Sequence, residues 1–160
     1  ELSGDRIGDW DVLEQALRAM EAQDGVTYDI ILMLQPTSPG RTAAHVEQTL
    51  RKLVEEDFDA VWTVSETDSK AHPLKQLVVG PGGVLDYYDP RGAAIVARQQ
   101  LVPVYHRNGL AYAITRQCLV EQGTIKGART GAVIAEGNLP NIDTELDLEW
   151  AEFLLARERR

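Results

Sequence analysis

The chain has 160 residues, 44% hydrophobic and 26% charged, a composition that suits one globular domain with a real core. Its formal net charge is -9, which argues against broad, non-specific binding to nucleic acid or to an anionic membrane surface. No apolar run approaches the roughly 20 residues of a membrane span, and the one cysteine, Cys118, cannot form an internal disulfide. Cys118 reads as a small buried hydrophobe in a reducing, cytoplasmic compartment.

Residues 9–23 carry Trp10, Leu13, Leu17 and Met20 at helical spacing, with Asp9 as the expected N-cap and Gly25 beyond the end. Residues 28–34 are rich in Ile and Leu without alternation, as in a strand covered on both faces. Residues 42–56 are helical again: Val46, Leu50, Leu53 and Val54 share a face, and Thr42 can cap. Residues 60–65, AVWTVS, form the next expected strand. This β-α-β run with short connections predicts a parallel sheet covered by helices.

The character changes at residues 66–108, where His72-Pro73, Gly80-Pro81-Gly82-Gly83, Asp89-Pro90 and Pro103 punctuate short β-prone pieces at 76–79 and 84–88. This predicts an excursion of hairpins and loops projecting from the α/β core. Residues 110–115 return as a buried strand, and 131–136 suggest another. The last element, 144–160, sets Leu146, Trp150, Phe153 and Leu154 on one helical face, and Thr144 with Asp147 makes a capping box.

Four places carry candidate chemistry. Gln35-Pro36-Thr37-Ser38-Pro39 follows a strand and precedes a helix, where open α/β sheets bind ligands. A glutamine amide there both donates and accepts, which suits a sugar hydroxyl or carbonyl; the plainer reading is a stiff connection. His106-Arg107-Asn108-Gly109 reads either as a turn or as a polar rim of the same crevice. Asn141 and Asp143, two residues apart, share a face if extended; they would then hold Mg²⁺ together, unless Asp143 only caps the last helix. Lys75, Arg91 and Arg98 lie in the excursion, either as solvated surface or as an anion site folded over a neighbouring subunit.

In order, LQPTSPGRT, HPLK, RQQLVPVYHRNGLAYAI and NIDTELDLEWAEFLL resemble the cytidylyltransferases that activate acidic nine- and eight-carbon sugars. The nearest likeness is to the CMP-N-acylneuraminate (sialic acid) cytidylyltransferase family, over essentially the whole chain. The resemblance implies a Rossmann-like α/β fold of the nucleotide-diphospho-sugar transferase type, with a mostly parallel sheet flanked by helices. It implies a single domain over 1–160 with a β-rich dimerisation segment at 66–108, and hence a homodimer. The implied reaction joins CTP and an acidic α-keto sugar to give CMP-sugar and pyrophosphate. Gln35 and Thr37 would touch sugar or nucleotide, Asn108 would lie in the sugar pocket, and Lys75 and Arg98 would reach the acidic substrate across the dimer. Asp143 would be the catalytic Mg²⁺ ligand, with Asn141 beside it where the family usually carries Asp. Arg107 stands next to His106, at the place of a basic family residue.

The family's Gly-, Ser- and Lys/Arg-rich loop, which cradles the CTP phosphates, has no counterpart in the 160 residues. The chain opens at Glu1, so it reads as the family with its nucleotide-binding N-terminus removed, inactive by itself. The competing expectation is a non-catalytic sugar-acid-binding or dimerisation module derived from the same family.

Overall fold

A computed structural model describes residues 7–158. The chain divides into two compact units. One joins the residues up to Val64 to those from Arg107 onward; the other is Ser65–His106, close to the expected excursion. The elements run α1 (Asp9–Asp24), β1 (Ile30–Met33), α2 (Ala43–Glu55), β2 (Ala60–Glu66), β3 (Leu77–Val79), β4 (Leu85–Tyr87), β5 (Tyr105–Thr115), β6 (Thr130–Ile134) and α3 (Glu145–Glu158).

The first unit is built on a four-stranded sheet in the order β1-β5-β2-β6. β1 and β5 are antiparallel, with Ile30 opposite Thr115 and Met33 opposite Tyr112. β2 and β6 are parallel, with Ala60 opposite Thr130. Thr115 N–H donates to Asp59 O, and Ala111 N–H donates to the Thr63 hydroxyl, so β5 also descends as β2 ascends. The sheet is therefore mixed, and β5 separates the two strands expected to be parallel neighbours. The reason lies in the connection. A parallel neighbour requires a crossover along the sheet, usually a helix. The chain leaves β2 for Ser65–His106 and returns without such a helix, so it re-enters antiparallel.

The lack of alternation in IILM has the expected cause. Ile30 and Leu32 pack with Leu53, Val61 and Ala113 below α2, while Ile31 packs with Leu17, Ala60 and Ile114 on the α1 face. Yet all four β1 residues are only half-buried, because β1 lies at the sheet edge. The fully buried strand is β5, where Leu110 to Ile114 are at most 1% exposed. Each large apolar side chain buried this way contributes about 1.5–3 kcal/mol.

Helix ends follow local chemistry. Thr42 caps α2, its hydroxyl accepting from His45 N–H at 3.3 Å. Thr144 and Asp147 form the expected box at α3: the Asp147 carboxylate accepts from Thr144 N–H at 2.8 Å, and the Thr144 hydroxyl accepts from Asp147 N–H at 3.3 Å. α1 differs by one residue. Gly8, not Asp9, holds the N-cap, and the Asp11 carboxylate accepts from Gly8 N–H. Asp9 falls in the first turn, where the helix dipole favours its charge. The apolar face expected on α3 is largely open: Leu146 is exposed, Trp150 and Phe153 stack on each other at 5.4 Å, and Ala151 is buried. Cys118 is buried as expected, its thiol donating to Thr124 O at 3.3 Å, and burial pushes its pKa up.

In the second unit β3 and β4 form an antiparallel hairpin, Leu77 opposite Tyr87 and Val79 opposite Leu85. All six strand residues are exposed. Gly92 is buried where a Cβ would lie 2.3 Å from Leu74 O. His72 is buried too, its ring accepting from Leu74 N–H and bonding Val102 O. So small a hairpin does not bury its own apolar side chains.

Arg116, just after β5, pairs with Glu21 of α1 at 2.8 Å. This hydrogen bond, against some desolvation, holds the Glu21 carboxyl below its usual pKa. A lowered carboxylate stabilises the fold above its unfolded pKa, and that contribution fades as pH falls through the folded value. Glu21→Gln should therefore lower the melting temperature at pH 7, and the gap to the parent should close below about pH 4. Thermal melts across that range check this; a gap that persists unchanged into acid counts against it.

Candidate active site

The strand β1 ends at Met33, and the regular ladder with β5 ends with it. Continued pairing would set Gln35 opposite Leu110. Instead Gln35 N–H donates to Gly109 O at 3.2 Å. Gly109 has φ +73, a left-handed conformation inside a strand. Such a glycine marks a bulge and a close approach of other groups. A Cβ on Gly109 would sit 2.3 Å from both Gln35 Oε1 and Ser38 Oγ. Asn108-Gly109 is thus not the turn one reading expected. It is a bulge on which the Gln35–Ser38 loop rests.

The loop is tied down from several sides. Ser38 is 1% exposed, and its hydroxyl donates to Asn108 O at 2.9 Å. Gly109 N–H donates to the buried Tyr112 hydroxyl at 2.8 Å. Burial raises the Tyr112 pKa, partly offset by that bond and by Arg107. The Asn108 side-chain oxygen accepts from the Thr63 hydroxyl at 2.7 Å and from Leu110 N–H at 3.2 Å. Arg41 spans the junction, its guanidinium donating to the carbonyls of Gln35, Gly109 and Leu110. Ser38 and Arg41 lie in a stretch that the sequence singles out, yet neither they nor Thr63 and Tyr112 show a role in the sequence alone. The signal was there in an Asn-Gly pair inside an apolar strand, which calls for a positive φ and leaves carbonyls to satisfy.

A third segment joins this end of the sheet. Ile142 N–H donates to Thr37 O at 2.9 Å. Gly40 lies against Leu139, which a Cβ would meet at 3.1 Å. Asn141 and Asp143 flank Ile142, and the Asn141 amide donates to the Asp143 carboxylate at 2.7 Å. The two side chains do share a face. Asp143 does not cap α3 with its carboxylate; Asp147 does, and bonds to Thr144 and to the 143 and 144 N–H groups hold the Asp147 pKa low. No cluster of three or more His, Cys, Asp or Glu that could hold a metal ion occurs among the described residues. One carboxylate and one amide oxygen, adjacent and exposed, still suit a hard cation that takes its other ligands from water and phosphate.

Gln35, Thr37, Asn108, Asn141 and Asp143 thus meet at one end of the sheet. Arg107 goes elsewhere: its guanidinium lies 5.5 Å from the Trp62 ring and 3.6 Å from the Asp9 carboxylate, at the start of α1. Lys75 and Arg98 are exposed in the second unit. There Arg98 lines a cavity of about 330 Å³ with Thr67, His72 and Val102. Arg91 is committed to Asp89, whose pKa falls to about 2 through that pair and the Arg91 N–H.

Post-translational flagellin modification protein B of Campylobacter coli is 23% identical over 156 residues, 96% of this chain and 64% of that protein. The chain thus spans just under two thirds of that relative. The solved structure of CMP:2-keto-3-deoxy-manno-octonic acid synthetase complexed with CTP matches with a TM-score of 0.57 at 20% identity, over 96% of this chain and 70% of that one. At such identity the structural likeness is one of fold. The resemblance to the cytidylyltransferase family is borne out, at low identity. No protein-family profile matches the chain.

The bulge at Gly109 is the feature of this site most exposed to test. Gly109→Ala adds both left-handed strain and overlap with Gln35 and Ser38. Gly25 has φ +66 but open space around it, so Gly25→Ala adds strain alone. Gly109→Ala is expected to destabilise by about 2 kcal/mol or more, and by more than Gly25→Ala. Urea denaturation of both variants measures the difference; equal losses would mean that the loop does not rest on Gly109.

Proposed function

We propose that the chain is the sugar-binding part of a cytidylyltransferase that joins CMP, from CTP, to an acidic α-keto sugar of the sialic acid type. The reading is carried by the bond from Ile142 N–H to Thr37 O, because it brings the Gln35–Ser38 loop beside Asn141 and Asp143. These stretches lie about a hundred residues apart in sequence, and each belongs to the resemblance. The flagellin-modification relative and the CTP-bound synthetase fold agree with it.

In the reaction, an anomeric hydroxyl oxygen of the sugar attacks the α-phosphorus of CTP and pyrophosphate leaves. Gln35 and Thr37 would bind and orient the sugar or nucleotide; the Gln35 side-chain amide makes no hydrogen bond among the described residues. Asn108, its oxygen held by Thr63 and Leu110 N–H, would fix the sugar. Asp143, helped by Asn141, would hold Mg²⁺. That ion supplies charge neutralisation for the phosphates. Lys75 and Arg98, from a second copy, would face the sugar carboxylate.

The test is pyrophosphate release by the complete gene product from CTP and N-acetylneuraminate or another α-keto sugar acid. Release with acidic α-keto sugars and not with neutral hexoses is expected. The 160 residues alone, without a Gly- and Lys-rich phosphate loop, should bind the sugar acid and leave CTP intact. Binding without turnover by the complete product would instead favour the non-catalytic module. Asp143→Asn should leave stability within a few tenths of a kcal/mol, since the Asp147 cap stays, yet depress turnover roughly 10²-fold. Asn141→Asp should sharpen the Mg²⁺ dependence. Unchanged turnover and Mg²⁺ dependence in Asp143→Asn would remove Asp143 from the site.

A homodimer through the Ser65–His106 unit belongs to the same proposal. Its hairpin leaves Val79 71% and Leu85 62% exposed, and Val96 nearby is 91% exposed. Apolar surface of this kind marks interaction sites. Light scattering of the complete gene product at tens of micromolar should give twice the monomer mass, and a clean monomer would overturn it.

A further inference from the structure

We propose that Arg41 is a positioning residue, whose guanidinium sets the spacing between Gln35 and Asn108 by clamping the strand ends that carry them. The proposal rests on the reading of Asn108 as a sugar contact, and of the two ligands open to Gln35 it takes the sugar.

Beyond Met33–Tyr112 the bulge at Gly109 shifts β5 against the chain leaving β1. Carbonyls that regular pairing would satisfy are left over, and a buried carbonyl needs a donor. Arg41 supplies it twice, from Nε to Leu110 O and from Nη2 to Gln35 O, and Nη2 adds a second donor to Gly109 O, which already takes the Gln35 N–H. One acceptor belongs to Gln35 itself. The other two follow Asn108 directly. No ion pair among the described residues involves Arg41, although acidic side chains outnumber Lys and Arg by 25 to 16. Its charge is spent on backbone carbonyls, and hydrogen bonds from a charged donor are about twice as strong as neutral ones. A guanidinium is planar and forked, so it fixes the angle and distance between the groups it joins; an ammonium is a point charge and does not. Strand pairing alone would have satisfied these carbonyls without an arginine. The arginine stands where the pairing is broken so that Gln35 and Asn108 converge.

Arg41→Lys in the complete gene product tests this. Removing a positioning contact for one substrate raises its KM without touching the chemical step, so the sugar-acid KM should rise about tenfold while kcat and the CTP KM stay within about twofold. Leu53→Ala, in the last turn of α2 and packed on Val61 and Ala113, is the control: it should lower the melting temperature at least as much and leave the sugar-acid KM alone. Equal KM for the sugar acid in parent and Arg41→Lys, or equal rises for sugar and CTP, overturns the proposal. A readout free of substrate separates it from the functional reading. In amide spectra of the chain, Arg41→Lys should move the side-chain signals of Gln35 and Asn108 together. Movement of both with no cytidylyl transfer would sink the function and leave the clamp standing; no movement would sink the clamp. If Arg41→Lys does not fold, the unaltered chain still decides, because an Arg41 Nε–H clamped to Leu110 O exchanges slowly with water and a fast-exchanging one refutes the proposal.

Discussion

The left-handed conformation of Gly109 is the constraint on which the rest of the site depends. A strand as buried as β5 has every reason to keep pairing to its end, since each unpaired carbonyl inside costs about 1–3 kcal/mol. The bulge breaks that pairing at the carboxyl end of β1, and everything around it is compensation. Ser38 gives its hydroxyl to Asn108 O, Tyr112 takes the Gly109 N–H, and Arg41 collects the remaining carbonyls. These bonds link the loop after β1 to β5 without a ladder. The price of the bulge is thus offset by side chains, which, unlike a ladder, leave room for Gln35 beside the strand.

The mixed sheet makes this possible. β1, β2 and β6 end near one another, and β5 begins there because it returns from the Ser65–His106 unit with no crossover helix. An all-parallel sheet would have placed a carboxyl end of β5 here as well. Its antiparallel entry instead brings the start of β5, with Asn108 and Gly109, into the crevice outside the other strands' carboxyl ends, where α/β sheets bind ligands. Arg107 and Asn108 then part company. Arg107 faces Trp62 and Asp9, while Asn108 meets Thr63 and Ser38. Neighbours along an extended chain point to opposite faces, so only one of the pair can serve a given site.

Local chemistry was legible in the sequence, and long-range consequences were not. The Thr42 cap, the Thr144–Asp147 box, the left-handed Gly25 and the two-sided burial of IILM each depend on a few adjacent residues, and each is present. The convergence of Asn141 with Asp143 needed only an extended backbone. The direction of β5 depended on how a forty-residue excursion returns, which no local pattern records. The edge position of β1, which leaves it half-buried, depends on that same return. Arg41 was invisible for a related reason. In sequence it is one more polar residue before a helix, and its partners become acceptors only once Gly109 has broken the ladder about seventy residues later. An Asn-Gly pair suggests a turn as readily as a polar rim, because most such pairs are turns; inside a buried strand the same φ > 0 preference makes a bulge.

The capping arrangement at α3 decides where the Asp143 carboxylate goes. A helix N-terminus attracts an anion, and Asp143 stands close enough to be spent there. Asp147 has taken that place: its carboxylate accepts from the Asp143 and Thr144 N–H groups and from the Thr144 hydroxyl. Asp143 therefore adds its main-chain donor to the cap and keeps its carboxylate out of it. That carboxylate is turned to the Asn141 amide, and the main chain between the two meets the loop through Ile142 N–H and Thr37 O. A neutral amide beside a carboxylate avoids the repulsion that two carboxylates would feel, and it donates a hydrogen bond that an ionised carboxylate at 141 could not.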